Sequence, residues 1–465
     1  MSIAIVPAPV SVVPGDGTFT LTGATVSGLL AEYVSETLGL RVVESGGDVL
    51  LELGSGAAPG GYTLEVVPTG IRLEADATAG LFAGVQTLRQ LAANGPVPCV
   101  AIEDHPRFSY RGAMLDVARH FFAVADVKRY IDDIALLKFN HLHLHLTDDQ
   151  GWRLEILSRP ELTAKGATTQ VGGGGGGYAA PLYYTQDEYR EIVAYAASRF
   201  ITIVPEIDMP GHTNAAIVAY PELGDSPAEP YEGIEVGFSS LAIGSESTYD
   251  FIDDVVREVV DLTPGPYLHL GGDESLSTTD EDFLTFIARA TAIAAASGRT
   301  IVGWHEMGRS PDLPAGTVGQ YWSFTTPQEG AAEHTLSFVE QGGRVIMSPA
   351  DVAYLDMAYE PDATLGLVWA NGPTSLEQAY DWDPADIVPG IGEEHLLGVE
   401  APLWTETVRS IGDAEYLAFP RMAAVAEIAW SPRGARQSFA DFASRLGSIE
   451  AVWDAAGIRH RPLDG

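Results

Sequence analysis

From Arg107 onward, short apolar runs alternate with longer stretches whose apolar positions recur at helical spacing. The runs Arg111–Ala118, His141–Leu146, Ile201–Ile207, Tyr267–Leu270, Thr300–Trp304, Thr317–Trp322, Arg344–Met347 and His395–Val399 predict eight strands. Ala125–Phe139, Gln186–Phe200, Phe251–Leu262 and Phe283–Ala296 predict helices between them. Apolar strands alternating with helices imply a parallel sheet covered on both faces. Eight such units predict a (β/α)8 barrel with insertions. Two more helices, Tyr416–Ala429 and Phe439–Ala455, follow the last strand.

Before Arg107 the rhythm is different. Short strands such as Val49–Leu53 and Tyr62–Val67 are separated by Gly and Pro, and one helix, Ala79–Ala93, carries Leu81, Phe82, Val85, Leu88 and Leu91 at helical spacing. This predicts a small α+β domain over residues 1–105, preceding a barrel with C-terminal helices over 106–465. The module holds no cluster of polar residues suited to chemistry, so a structural role is expected for it.

Composition narrows the partners. Of 465 residues, 64 are acidic and 26 basic, a formal charge of −38. Phosphate backbones and anionic lipid surfaces need a basic face, so neither nucleic acid nor a membrane surface is an expected partner. A neutral or cationic small molecule suits such a surface. Cys99 stands alone, which excludes an internal disulfide. Met1–Gly15 lacks a basic n-region and contains three prolines, so no signal peptide is expected there. The compartment stays open between cytoplasmic and secreted, and the oligomeric state is unspecified.

The chemistry gathers where the strands end. The barrel strands run in turn into Asp116, Arg119 and His120; Thr147, Asp148 and Asp149; Glu206, Asp208 and His212; Asp273 and Glu274; Trp304 and Glu306; Gln320, Tyr321 and Trp322; Tyr354, Asp356 and Trp369; and Glu400, Trp404 and Glu406. Any one of these could be a cap, a turn or a packing residue. Together they occupy the end of the barrel where such folds place their active sites. Asp, Glu and Arg bind hydroxyls, and aromatic rings stack on the apolar faces of sugars, so the set has the composition of a carbohydrate site. Two adjacent carboxylates, Asp273 and Glu274, push each other's pKa values apart, and one can then hold a proton while the other stays charged.

Two features admit other readings. His141, His143 and His145 lie at period two on one strand face, like the metal-binding pair of barrel hydrolases, and His212 or His269 could complete a set. Buried polar packing is the expected reading of the three, and no metal or other cofactor is expected. The run Gly172–Gly177 lacks the Lys and Ser/Thr of a phosphate loop, so it reads as a flexible insertion at the barrel mouth.

Several motifs agree with one family. Arg111–Phe121, His141–Trp152, Glu206–His212 and His269–Glu274, followed by Gly303-Trp304, Gln320–Trp322, Tyr354–Asp356 and Trp404–Glu406, resemble the β-N-acetylhexosaminidases of glycoside hydrolase family twenty, in order, from about residue 106 to 430. The N-terminal module resembles the small domain that precedes this barrel.

The resemblance implies roles. Glu274 would be the general acid and later the base. Asp273 would hold the substrate's 2-acetamido group while its carbonyl oxygen attacks the anomeric carbon, and Tyr354 would hydrogen-bond that oxygen. Trp304, Trp322 and Trp404 would wall the terminal sugar, and Trp369 would face the leaving group. Arg119, Asp356 and Glu406 would hold hydroxyls, and Asp148 with His212 would tune Glu274. A glycosidase with a protein nucleophile sets its two carboxyls roughly 5 Å apart across the scissile bond. Neighbours on one strand end are poorly placed for that, whereas a substrate that supplies its own nucleophile needs only such a pair. The absence of disulfides and of a signal is closer to bacterial members than to lysosomal ones. The expected activity is therefore exo-acting, retaining removal of terminal GlcNAc or GalNAc. The alternatives are a metal-dependent barrel hydrolase and a non-catalytic sugar-binding protein.

Overall fold

The structure is a computed structural model in which residues 3–54, 58–173 and 182–463 are described. Residues 174–181, which include Gly174–Gly177 of the glycine run, therefore lie outside the described residues. The chain divides into two compact units, one of residues 1–111, 132–139 and 419–465 and the other of residues 112–131 and 140–418.

The first unit is built on a seven-stranded sheet. Its order is Ser11–Phe19, Val97–Asp104, Tyr62–Val67, Gly70–Ala75, Val49–Leu53, Thr25–Gly28, Arg41–Val42. Along Tyr62–Val67 the residues Tyr62, Leu64 and Val66 are buried while their neighbours are not, so one sheet face is committed to a core. Helix Thr78–Ala92 lies against it with Leu81, Val85, Leu88 and Leu91 buried. A second helix, Ala31–Leu38, stops at Gly39, whose φ of 69° permits the left-handed turn. The single helix expected over Tyr416–Ala429 is two, Ile411–Ala418 and Arg421–Trp430. Pro420 falls between them, and proline can neither donate the helical N–H nor allow its predecessor a helical backbone.

The second unit carries the barrel. Tyr110–Asp116, His141–His145, Thr202–Glu206, Tyr267–His269, Thr300–Trp304, Val318–Tyr321, Arg344–Met347 and Leu396–Ala401 close in chain order into eight parallel strands. Each expected strand is present, with ends within two residues of those read from the apolar pattern. Register places Asp116, His145, Glu206 and His269 side by side on four consecutive strands. One layer of the barrel interior is thus polar and ionisable, directly below the C-terminal mouth. Among the described residues no helix is long and apolar enough to cross a membrane.

Candidate active site

The fourth barrel strand ends in Leu270-Gly271-Gly272-Asp273-Glu274. Gly271 has φ 66°, and a Cβ there would stand 1.6 Å from Asp208 Oδ1, so only glycine fits. The Gly272 N–H donates to the same oxygen at 3.1 Å. The two glycines fold the chain over Asp208 and raise the acid pair into the mouth. Glu274 (φ 40°) and His212 (φ 55°) both occupy the left-handed region, a strain of order 1–3 kcal/mol each that concentrates at functional loops.

A cavity of about 510 Å³ opens at this point. Arg119, Asp208, His212, Asp273, Glu274, Trp322, Tyr354, Trp369, Trp404 and Glu406 line it, so residues from six strand ends converge. Asp148, Trp304 and Asp356 are buried in contact with these lining residues. Trp304 is fully buried, with its ring 5.9 Å from that of Trp404, and Asp356 accepts the Trp404 backbone N–H at 3.4 Å.

A column of alternating charge supports the acids. The Arg119 guanidinium lies 2.8 Å from Asp148 and 3.3 Å from Asp116, and it covers the Trp404 ring at 4.8 Å. Asp148 Oδ1 faces His212 Nδ1 at 3.3 Å, and His212 Nε2 stands 3.5 Å from Glu274 and 3.8 Å from Asp273. Burial works to raise Asp148, but Arg119 and then His212 hold it well below the usual carboxylate range. Burial likewise opposes a charged His212, yet Asp148 and then Asp273 hold it well above the ordinary imidazole value. His212 therefore presents a cation to the acid pair.

Asp273 is pushed up to about 6, first by burial and then, against His212, by Glu274. Asp208 is pushed well above its ordinary value by burial and by Asp273. Several buried polar atoms here make no hydrogen bond within the protein: Asp273 Oδ1, Asp208 Oδ2, His212 Nε2, Arg119 Nε and Glu406 Oε2. Folded proteins satisfy buried polar groups, so a concentration of exceptions around one cavity marks where a polar ligand completes the bonding.

The aromatic wall is braced from behind. Trp322 donates its indole N–H to the Glu306 carboxylate at 2.9 Å. Trp369 is 47% exposed and stands edge-on to Trp322 and Tyr354, with centroids 6.1 Å and 5.9 Å away, so it closes the outer side. Tyr354 is buried and near Trp404, and its phenol is pushed well above the ordinary value by burial and by Asp273. It thus stays a neutral hydrogen-bond donor.

The imidazole of His141 lies apart from the other two of its strand. His141 bonds Asn140 and packs edge-on to Tyr267, whereas His143 and His145, nearer the mouth, both stand against Glu206. Alternate residues on a strand sit roughly 7 Å apart, so they fall in different layers. Among the described residues His141 belongs to no group of side chains close enough to hold one ion, so the three histidines do not form one metal face, whereas His143 with Glu206 and His269 lie within such a distance of one another.

The strand-end pattern left Asp208 and Glu306 without roles, although both were in view. Period two places Asp208 on the same face as Glu206, the one available signal. Ile234, Val236, Leu367 and Val368, which also line the cavity, come from loops and had no signal.

Similarity to known proteins agrees with this geometry. The profile of glycosyl hydrolase family 20, catalytic domain, matches residues 108–280 and 274–433, and that of the family's domain 2 matches residues 2–105. The chain is 40% identical to a β-N-acetylhexosaminidase of Cellulomonas fimi, covering 98% of this chain and 95% of that protein. It superposes with a TM-score of 0.93 on N-acetyl-β-hexosaminidase from Streptomyces plicatus in complex with thio-NAglucal, at 44% identity and over 98% and 96% of the two chains. A mutant of the Streptomyces plicatus β-hexosaminidase in complex with the product GlcNAc gives a TM-score of 0.94 at 43% identity, over 99% and 97%. An acid pair at the fourth strand end, a closed parallel barrel around it and matches spanning both modules lead to one conclusion: the chain belongs to glycosyl hydrolase family 20.

Proposed function

We propose that this glycoside hydrolase is an exo-acting, retaining β-N-acetylhexosaminidase in which the substrate's own acetamido group is the nucleophile. The observation that carries the reading is the adjacency of Asp273 and Glu274 beneath one cavity, with His212 between them and the Arg119–Asp148 pair. A terminal N-acetylhexosamine in the cavity lies between the tryptophans. Arg119, Asp356 and Glu406 hold its hydroxyls, and Trp304, Trp322 and Trp404 form or back the wall around the ring. Trp369 stands on the leaving-group side.

The steps balance with these residues alone. Glu274 gives its proton to the glycosidic oxygen as the bond to the anomeric carbon breaks. The acetamido carbonyl oxygen attacks that carbon from the opposite face and forms an oxazolinium ion. Asp273, as carboxylate, accepts the amide N–H and offsets the positive charge, while Tyr354 donates to the acetamido oxygen. Glu274 then takes a proton from water, which attacks the anomeric carbon and reopens the ring with retention. His212 and Asp148 tune Glu274 between these states.

Within the same reading the chain divides at residue 105 into a module of residues 1–105 and a catalytic module of residues 106–465, in line with the boundary between the two family profiles. The partner is an oligosaccharide or small glycoside ending in β-linked GlcNAc or GalNAc. A chromogenic N-acetyl-β-glucosaminide and the corresponding glucoside, with the same leaving group, test the mechanism. Turnover is expected for the first alone, and equal rates would refute participation of the acetamido group.

A further inference from the structure

The strand His141–His145 contributes two imidazoles that the reaction above does not use, and both contact one carboxylate. Glu206 is fully buried at the end of the third barrel strand. Its Oε1 accepts the indole N–H of Trp304 at 2.9 Å, and His269 Nδ1 lies 3.2 Å from the same oxygen. Its Oε2 lies between His145 Nδ1 at 2.5 Å and His143 Nε2 at 3.0 Å. His143 turns its other nitrogen to Glu400 at 2.9 Å. His145 turns its other nitrogen to Asp148 at 2.8 Å. His145, hydrogen-bonded to a carboxylate at each nitrogen, donates from both and is an imidazolium, with the Arg119 guanidinium 3.5 Å from its Nε2, whereas His143 Nε2 lies beside Glu206 without a hydrogen bond.

We propose that Glu206 is a positioning residue for hydrolysis, acting by two arms: Trp304 behind the sugar wall, and His145 below Asp148. The inference rests on the functional reading above. In the lower arm, carboxylate, imidazolium, carboxylate and imidazolium alternate from Glu206 through His145, Asp148 and His212 to Glu274. Each charge fixes the protonation of the next, because in a buried barrel interior an unpaired ion is far costlier than a paired one. Burial opposes a charged His145, but Glu206 and Asp148 hold it well above the ordinary value, in agreement with the geometry. In the upper arm, Glu206 is the acceptor that sets the rotation of Trp304, whose ring backs Trp404. The polar layer below the mouth is thus continuous with the catalytic groups.

The test is a pair of variants. Glu206→Gln must turn an amide N–H₂ toward Trp304 or toward the imidazoles, which are donors. It is expected to lower kcat/KM about tenfold to a hundredfold, raise KM through the Trp304 arm, and move the basic limb of the pH profile to lower pH, since one buried negative charge is gone. His145→Gln leaves the Trp304 bond in place and should shift the limb with KM nearly unchanged. Imidazole nitrogen NMR reads the lower arm without turnover. In the wild type His145 should stay protonated from about pH 5 to about pH 9, and in Glu206→Gln it should titrate within that range. A purely structural role predicts a lower unfolding midpoint but wild-type KM, pH profile and His145 charge per folded molecule, and that result overturns the proposal. Should Glu206→Gln fail to fold, an unshifted limb in His145→Gln overturns it. Wild-type turnover of the N-acetyl-β-glucosaminide, measured alongside, judges the functional reading separately.

Discussion

Replacing Asp273 with Asn separates catalysis from stability in a measurable way. The folded protein holds Asp273 at about 6 against an ordinary value of 3.8. The folded state therefore binds this proton more tightly than the unfolded chain does. Ionised Asp273 is then a burden on the fold at neutral pH. Roughly two pH units at about 1.4 kcal/mol each make that burden about 3 kcal/mol. The sign follows directly. Below about pH 4 the carboxyl is neutral in both states, and Asp and Asn are equivalent. Between about pH 4 and pH 6 the wild type loses stability relative to Asp273→Asn, and above about pH 6 the difference is constant. Denaturant unfolding at about pH 4 and pH 8 should show the variant gaining up to about 3 kcal/mol at the higher pH only. The same variant lacks the anion that meets the developing oxazolinium, and its kcat should fall about 10²–10³-fold. For the wild type, kcat/KM should decline below about pH 6 as Asp273 takes up its proton. A stability difference that is flat between the two pH values, or a variant with wild-type turnover, would refute the reasoning.

Other substitutions bear on different parts of the site. Glu274→Gln should reduce turnover about 10²–10⁴-fold, and because the Glu274 side chain is 32% exposed the unfolding midpoint should barely move. Arg119→Met leaves Asp116 buried without its cation and takes one of three from Asp148, so unfolding should become easier by about 3–5 kcal/mol, with a rise in KM seen in steady-state kinetics. Trp369→Ala, at a half-exposed position, should leave stability unchanged and raise KM for a disaccharide more than for a methyl glycoside.

Much of the architecture was readable in one dimension because the barrel repeats a simple pattern. A strand such as Thr300–Trp304 is apolar and buried at every position from Ile301 on, and that burial writes itself into consecutive residues. The helix expected over Tyr416–Ala429 failed at Pro420, where a local backbone constraint overrode an unbroken apolar spacing. Helix Glu246–Leu262 begins before the expected Phe251, since its first turn is polar and carries no apolar period. The chemical set was legible because each member follows a strand end. Its division of labour was not: Trp304, grouped with the other tryptophans, is fully buried behind Trp404.

By itself the sequence determined the eight-strand order, the end of the barrel that holds the chemistry, and the acidic and aromatic character of the site. These depend on residue type and local period, which are properties of the chain. Only the tertiary structure decided which groups meet. Glu206 and Trp304 are 98 residues apart, and Arg119 reaches Asp148 and Trp404 from different strands. Closure of the barrel brings them within bonding distance in a buried space, where each charge sets the protonation of its neighbour. The raised Asp208, the cation at His212 and the raised Asp273 are consequences of that closure.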